Sequence, residues 1–307
     1  VSGSVLTFTT APAANTSFFA VLLGSDNGGT VTPTDGSVTS GKLAYPFVVN
    51  EDGAAASDFR VESDSNTHML FVDAGNNAIG VNESSPSSYY YNDLVINSGD
   101  EGGITIVDTS SGQSALAFGD STSGAARYAG RILYNHNTDT MQIGAGGNTY
   151  LNIDGNGHTT NASQSAFLAT VSTTQSNIAD GHVQIEADNE IFDQNADYNT
   201  SNYTFTAPVT GKYSFQVNIT TSDLAIDYQW CYCYVGTSNR TCYVSNVDPR
   251  MFDTAGAYSL GGAILVDMDA NDTATLYFRS SAHGTNTVDI VANTSNPETY
   301  FSGYLVC

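Results

Sequence analysis

Apolar residues occur along this chain in short runs, and almost every run ends in Gly, Asn, Asp or Ser. The run Phe71 to Asp73, followed by the turn residues Ala74 to Asn77, is typical of the pattern. Amphipathic helices would need apolar residues spaced by three and four over about ten positions, and no convincing segment of that kind is found. Short alternating runs bounded by turn residues indicate strands. The pattern therefore predicts an all-β protein.

The composition strengthens this prediction and excludes two classes of partner. Only 13% of the residues are Asp, Glu, Lys or Arg, and 8 basic residues against 31 acidic ones give a formal net charge of −23. Such a charge repels nucleic-acid backbones and the anionic face of a membrane. No apolar run approaches the length of about 18 residues that a membrane span needs. We therefore expect neither nucleic-acid binding nor membrane insertion.

Changes in composition divide the chain into three predicted segments. Residues 1–50 contain two predicted strands and a polar linker, and form an N-terminal β connector or attachment segment. Residues 51–162 repeat one design, a short alternating strand followed by a reversal that begins with an aspartate, as at Asp73 and Asp154. Residues 163–307 form a C-terminal knob with turn signals between its strands. The predicted knob strands are Ala166–Val171, Tyr203–Thr206, Lys212–Thr220, Tyr228–Val235, Arg240–Val244, Ser259–Val266, Ala274–Arg279 and Tyr300–Val306.

The repeated design of residues 51–162 buries only one thin face. An isolated ribbon of two or three strands is marginally stable in water, so a single chain would leave much of that face wet. Three chains packed about an axis would close these faces on one another. We therefore predict a homotrimer. It would carry a formal charge of −69, three times −23, and would need salt or bound cations to screen its own repulsion.

Residues 191–215 resemble the signature of the complement-type globular head, a trimeric jelly roll of the tumour-necrosis-factor class. The resemblance continues in an opening strand at Ser165–Ala169 and in a closing strand at Phe301–Leu305. It implies that the knob is a jelly roll. The residues that carry the knob motif are Phe205, Pro208, Gly211, Tyr213, Phe215, Phe301 and Gly303.

Simple geometry gives several of these motif residues a role. The chain reverses tightly before the strand that holds Tyr213, and we expect Gly211 to fill a position of positive φ in that reversal. Because side chains alternate along a strand, Tyr213 and Phe215 should share one face, as should Phe301 and Gly303 in the closing strand.

A second resemblance concerns the middle of the chain. Leu116–Asp120, Ala129–Ile143 and Tyr150–Gly157 resemble the shaft of tailed-phage tail fibres, and Thr34–Ala44 is similar to linkers near the start of such fibres. The resemblance implies an elongated homotrimer with an intertwined β shaft, located in a virion as an extracellular tail or head appendage. Its N-terminal segment would contact other tail or capsid proteins. Its knob would recognise a host surface glycan or an outer-membrane protein during adsorption.

Two other functions stay open. The same trimeric head would serve assembly in a head-decorating fibre, or in a secreted bacterial surface or matrix protein. A polysaccharide-cleaving adhesin would need two carboxylates about 5 to 10 Å apart around the glycosidic bond, in a shaft longer than this one. The five histidines lack a nearby serine or cysteine in a nucleophile-elbow setting. We therefore expect no enzymatic activity.

A row of aromatic residues is the candidate ligand-binding site of the knob. Tyr228, Trp230, Tyr232 and Tyr234 alternate with other residues, so they should project from one side of a strand. The residues expected on the opposite side are Gln229, Cys231, Cys233 and Val235. The candidate ligand-binding residues are Tyr228, Trp230 and Tyr232. Exposed rings in a row suit stacking on sugars or contact with a protein. The same row would also fit the core of the sandwich or a trimer interface.

No cofactor is predicted, although calcium or another divalent cation has two weak candidate sites. Asp267, Asp269 and Asp272 offer hard oxygen ligands, but their segment lacks the Gly and the final Glu of a helix-loop-helix calcium site. A solvated turn explains these residues equally well. On a three-fold axis, His136 of each chain would join a cluster of three.

The four cysteines all fall in the last quarter of the chain, without the spacing of a zinc site. Cys233 and Cys242 flank a predicted turn, which would allow a disulfide between them. Buried, reduced cysteines are the alternative.

Overall fold

The computed structural model describes residues 58–281 and 285–307, together with residues 10, 13, 14, 53 and 55. Regular structure in these ranges is almost entirely β-strand, which confirms the predicted class, and α-helix is absent from them. None of the described helical segments has the length and apolar character of a membrane span. The strands and linker predicted within residues 1–50 lie outside the described residues. The described helical segments are short 3-10 turns at Pro86–Ser88, Gly124–Tyr128 and Pro249–Met251.

The chain divides into two compact units, Val1–Ile104 and Thr105–Cys307. The first contains one sheet whose four strands pair in sequence order, with β3 and β4 parallel and the other pairs antiparallel. Its small interior holds Phe71, Ala78 and Val95. The division into three segments, with boundaries after residues 50 and 162, stays a prediction. The strands of this sheet are β1 (Phe59–Val61), β2 (Leu70–Asp73), β3 (Ala78–Val81) and β4 (Leu94–Ile96).

The second unit begins with an antiparallel meander, whose strands also pair in sequence order. Among its apolar side chains only Leu133 is buried. The meander is therefore a single layer rather than a closed domain. Its strands are β5 (Gln113–Phe118), β6 (Gly130–Asn135), β7 (Thr140–Ala145), β8 (Asn148–Ile153) and β9 (Thr159–Asn161).

The aspartate reversal predicted from the sequence is formed in both places. Between β2 and β3, the Asp73 carboxylate accepts hydrogen bonds from the backbone N–H and the side-chain amide of Asn76, both at 3.1 Å. Between β8 and β9, the Asp154 carboxylate accepts hydrogen bonds from the N–H groups of Asn156 and His158, both at 2.9 Å. Each aspartate thus satisfies donors that the turn would leave unpaired.

The knob consists of two sheets that enclose one core. The first sheet has the order β11-β21-β16-β22-β10-β13, with β19 also paired to β16, and the second has the order β14-β15-β20-β17-β18, with β12 also paired to β20. Strands of the first sheet are β10 (Ala166–Thr170), β11 (Gln175–Ile178), β13 (Asn189–Asp193), β16 (Gly211–Leu224), β19 (Gly256–Met268), β21 (Val288–Ile290) and β22 (Tyr300–Leu305). Strands of the second are β12 (Gly181–Gln184), β14 (Tyr198–Asn199), β15 (Thr204–Thr206), β17 (Cys231–Thr237), β18 (Thr241–Val247) and β20 (Thr273–Ser280).

Aromatic rings from both sheets fill the centre of this core. Phe205, Tyr213, Phe215 and Phe301 of the motif are fully buried, and Phe167 packs among them. The ring of Phe167 stacks on that of Phe205 with centroids 5.1 Å apart, and it meets Phe301 edge to face at 5.0 Å. The two-layer sandwich with non-sequential strand order is a jelly roll.

The two motif glycines are needed because the chain packs closely around them. A Cβ on Gly303 would lie 2.4 Å from a ring carbon of Phe215, and one on Gly211 would lie 2.6 Å from the carbonyl oxygen of Cys307. The prediction that Gly211 adopts a positive φ is wrong, since this residue is absent from the positive-φ glycines of the described chain. Gly211 begins β16 in an extended conformation, so the space beside Cys307, and not the turn, requires a glycine there.

Candidate functional site

The meander presents an apolar face to solvent. Its cross-strand register brings Leu116, Ile132, Ile143 and Leu151 side by side on four neighbouring strands. Leu116, Ile132 and Ile143 remain 55%, 42% and 44% exposed. We call these four residues, with the neighbouring Phe118 and Met141 that are also exposed, the meander face. Such a continuous apolar surface is costly to leave in water.

A second exposed apolar region lies in the knob, on the outer surface of its first sheet. An open cavity of about 470 Å³ lies there, lined by residues of β10, β13 and β22. Phe192 and Tyr304 in its lining are each close to half exposed. In the pairing of β13, β10 and β22, Leu168 is opposite Phe192 on one side and Ser302 on the other, and Tyr304 is opposite Ala166.

The outer surface of the second sheet of the knob is different, because aromatic rings cover it. Trp230 and Tyr232 have ring centroids 4.8 Å apart, and Tyr232 contacts Tyr243 at 5.1 Å. Tyr243 then contacts Tyr234 at 5.5 Å, and Tyr234 stacks on Tyr277 at 5.1 Å with an interplanar angle of 11°. We call these five residues the aromatic face. They form one continuous series of ring contacts across β17, β18 and β20.

Two basic side chains border the aromatic face. The guanidinium carbon of Arg279 lies 4.9 Å from the centre of the Trp230 ring, which is a cation–π contact. Arg279 is opposite Tyr232 on one side and His182 on the other. The Nδ1 atom of His182 hydrogen-bonds the Tyr234 hydroxyl at 2.7 Å. The face therefore combines apolar ring surface with hydrogen-bonding groups and a positive charge.

The knob sequence also matches a known family. Residues 166–306 match the family model of the C1q domain. A comparison with curated proteins gives no match for this chain. Two solved structures that resemble it are the globular domain of zebrafish complement 1qA protein, with 15% identity, a TM-score of 0.34 and coverage of 47% of this chain and 98% of that one, and murine APRIL at pH 8.5, with 9% identity, a TM-score of 0.35 and coverage of 47% and 99%.

Within this C1q-like knob, the predicted aromatic row is only partly correct. Trp230 and Tyr232 lie on the outer surface as proposed, but Tyr228 is fully buried in the core. The strand β17 begins at Cys231, so Tyr228 precedes it and the alternation of side chains does not extend to that residue. Burial raises the pKa of the Tyr228 hydroxyl to about 12.

Tyr234 was part of the predicted row, but the sequence did not predict that Tyr243, Tyr277 and Arg279 would lie beside it. Tyr277 and Arg279 alternate within one predicted strand and Tyr243 lies in another, so the periodicity did place them on strands. Their proximity depends on the pairing of β20 with β17 and of β17 with β18. Such pairing between distant segments has no local sequence signal.

The candidate metal ligands of the knob lie at the end of β19, which contains Asp267, and in the turn that leads to β20, which contains Asp269 and Asp272. Asp267 forms an ion pair with Arg240 at 2.8 Å, and its own backbone N–H and this charge hold the pKa of the carboxyl below its usual range. The Asp272 carboxylate accepts a hydrogen bond from the backbone N–H of Asp269 at 2.8 Å and one from the side chain of Asn239 at 2.6 Å. The described residues contain no group of three or more potential metal-ligating side chains.

The remaining candidate ligand, His136, belongs to the meander. Its Nε2 atom lies 3.2 Å from the Ser114 hydroxyl, and its ring contacts Tyr134 edge to face. The proposed cluster of three such histidines stays a hypothesis.

The disulfide considered between Cys233 and Cys242 is not formed, and all four cysteines are free. Register explains this, because Cys233 is opposite Ser245 and Cys242 is opposite Val235. The two residues are therefore not cross-strand partners. Burial raises the pKa of both Cys231 and Cys233 to about 12, so these thiols stay protonated and unreactive at neutral pH.

Proposed function

We propose that the chain forms a homotrimeric phage fibre whose C1q-like knob binds a ligand on the host surface. Residues 51–162 would form the shaft, and the N-terminal segment would connect it to tail or capsid proteins of the virion. The chain would act by binding and not by catalysis. The observation that carries the proposal is the exposed meander face.

The meander face favours assembly because a single layer cannot bury it. Burying Leu116, Ile132 and Ile143 would stabilise the assembly by about 25 cal/mol for every Å² of apolar surface removed from water. The strands of the meander pair in sequence order, so this face is continuous over the four strands β5 to β8, and three copies would associate through it in the shaft. The apolar region around Phe192 and Tyr304 in the knob would extend the same contact between copies.

The knob supports a binding role because its fold does not depend on a ligand. Phe205, Phe215 and Phe301 already close its core within one chain. The outer surface of its second sheet is therefore available for recognition. A trimer would present three equivalent knobs, and this multivalency strengthens attachment even where each contact is weak.

Light scattering on the purified chain tests the trimer. The wild-type chain should have the mass of three copies, and Ile132→Asn should reduce that mass because the substitution places a polar group in the proposed contact. Ile226→Asn is a matched control, since Ile226 is 39% exposed, close to the 42% of Ile132, and lies in the knob. A wild-type chain that is monomeric at all concentrations would contradict the proposal.

An adsorption assay tests the host-binding role. Added wild-type protein should block adsorption of the particle that carries this chain, and Ile132→Asn protein should block it much less because it lacks multivalency. Unchanged adsorption in the presence of a wild-type trimer would instead indicate a purely structural appendage.

A further inference from the structure

We propose that the aromatic face, together with Arg279, binds an acidic glycan, meaning an oligosaccharide that carries carboxylate groups. This inference rests on the proposed function of the knob and names the chemical class of its ligand. It concerns the outer surface of the second sheet, which is a different surface from the meander face and from the apolar region around Phe192.

The geometry of the rings suits sugars. The rings of Trp230, Tyr232 and Tyr243 follow one another on the outer side of the sheet, at centroid distances near 5 Å and with interplanar angles of 39° and 61°. Trp230 and Tyr232 are half-buried, so part of each ring reaches solvent. Tyr243 is 50% exposed. Pyranose rings present flat faces of C–H groups, which pack on aromatic rings, while phenol hydroxyls at the same surface can hydrogen-bond sugar hydroxyls.

Arg279 selects for a negative charge on that sugar. Within the described part of the chain, no carboxylate lies within ion-pair distance of this side chain, as is also the case for Arg127 and Arg131 but not for Arg60, Arg240 and Arg250. Among these three unpaired arginines, Arg279 is the one that borders the aromatic face. Its contact with Trp230 holds the guanidinium beside the rings. A guanidinium binds carboxylates through two parallel N–H donors.

The net charge of −23 opposes acidic ligands only at long range. At physiological ionic strength, exposed charges are screened beyond about 8 Å, so the groups near the bound sugar dominate. The cross-strand neighbours of the aromatic face include Arg279, His182 opposite it, and Asn246 opposite Tyr232, none of which is acidic. The Asp248 carboxylate near Gln229 is neutralised by its ion pair with Arg250. Local charge therefore complements a carboxylate.

The chain contains a convenient reporter of this site. Trp230 is its only tryptophan, so tryptophan fluorescence reports on the aromatic face alone. We would titrate the full chain with tetrasaccharides of galacturonate, mannuronate and sialic acid, and with their carboxyl-reduced forms. Isothermal calorimetry on the same samples gives the affinity independently of the fluorescence.

At least one acidic tetrasaccharide should change the Trp230 emission and release or absorb heat on binding. Arg279→Gln should weaken its binding by about tenfold or more, since a charged hydrogen bond is lost. Tyr243→Ala should also weaken binding, and this half-exposed residue can be replaced without opening the core. Arg127→Gln and Tyr90→Ala, which remove an exposed arginine and an exposed tyrosine elsewhere in the chain, should leave the affinity unchanged.

Three results would overturn the inference: no binding by any acidic tetrasaccharide, equal binding of the carboxyl-reduced forms, or unchanged affinity in Arg279→Gln. Loss of the trimer in Tyr243→Ala, measured by light scattering, would also overturn it, because the face would then be a contact between copies. A trimer that blocks adsorption without binding these sugars refutes the inference and leaves the proposed function intact. Sugar binding by a chain that is monomeric would instead refute the proposal of a trimeric fibre and leave the sugar-binding inference intact.

Discussion

Gly303 lies where β22 passes the rings of Phe215 and Phe167. A Cβ at this position would come within 2.4 Å of Phe215 and 3.0 Å of Phe167. Both rings are fully buried, so neither can move aside without disturbing its neighbours. The absence of a side chain at Gly303 is therefore a condition for the aromatic core of the knob.

We expect Gly303→Ala to destabilise the knob by about 1 to 3 kcal/mol, the usual cost of overpacking a core. The measurement is chemical unfolding followed by near-ultraviolet circular dichroism, which reports on the packed aromatic rings. Gly256→Ala is the control, because a Cβ on Gly256 would meet no atom within 4 Å. Equal unfolding midpoints for the two variants would contradict the packing argument.

For single residues, the sequence predicts correctly which side chains share a face when they lie within a regular strand. Tyr213 and Phe215 were expected on one face of a strand, and both lie in the core. The alternation rule fails for Tyr228, which precedes its strand, and the φ of Gly211 was wrong because a close contact and not a turn requires that glycine. Both errors concern the places where a strand begins, which periodicity does not define.

The segment between β3 and β4 is organised by one carboxylate. Glu83 accepts hydrogen bonds from the backbone N–H of Ser85 at 2.8 Å, the side-chain amide of Asn97 at 2.9 Å and the hydroxyl of Tyr89 at 3.1 Å. These donors, with the Ser85 N–H as the largest influence, lower the pKa of the Glu83 carboxyl. The ionised form therefore stabilises the folded first unit.

Because the folded pKa is depressed, this stabilisation is present above the ordinary carboxyl pKa and is lost as the pH falls through the folded value. We expect Glu83→Gln to increase hydrogen exchange in peptides covering residues 78–97 at neutral pH. The difference in hydrogen exchange between this variant and wild type should shrink as the pH falls through the folded pKa of the Glu83 carboxyl. The exposed Glu101→Gln is the control. A difference that stays constant with pH would show that the charge of Glu83 is not responsible.

The sequence predicted the long strands of the knob and the short β15, with ends displaced by up to four residues. It missed five strands, β11, β12, β13, β14 and β21. β11, β12, β14 and β21 have two to four residues, and most of their side chains are polar. Such segments are strands because a longer neighbour offers them hydrogen bonds, as β20 does for β12. Their structure is thus decided by tertiary contacts and not by their own pattern.

Charge is the dominant property of the whole molecule. With −23 on each chain, the proposed trimer must bring together three strongly negative surfaces. Screening extends over about 8 Å at physiological ionic strength, but charges interact over about 30 Å at 0.01 M salt. Assembly through the meander face therefore competes with repulsion that depends on salt.

We expect the mass measured by light scattering to fall toward that of one chain near 0.01 M NaCl and to return to three chains at 0.15 M. Sucrose at matched osmolality should not restore the trimer, because it does not screen charge. Magnesium chloride at equal ionic strength should act like NaCl, since the described residues contain no cluster of metal ligands. A much stronger effect of magnesium would point to a specific cation site, and insensitivity to salt would contradict the electrostatic argument.

The all-β class and the trimeric hypothesis at this scale came from simple counts and from a thin apolar face, both of which are local properties. The aromatic face, which includes Trp230, Tyr243 and Tyr277, could not be predicted from such local properties, because it depends on how β17, β18 and β20 are ordered in the sheet.

The position of β22 constrains the order of events during synthesis. This strand, Tyr300–Leu305, lies in the middle of the first sheet, hydrogen-bonded to β10 on one side and to β16 on the other. Until the ribosome has delivered these six residues, β10 and β16 each keep an unpaired edge that invites aggregation. The knob consequently completes its fold only after residue 305 has been synthesised. A product that terminates before β22 would leave the first sheet of the knob incomplete.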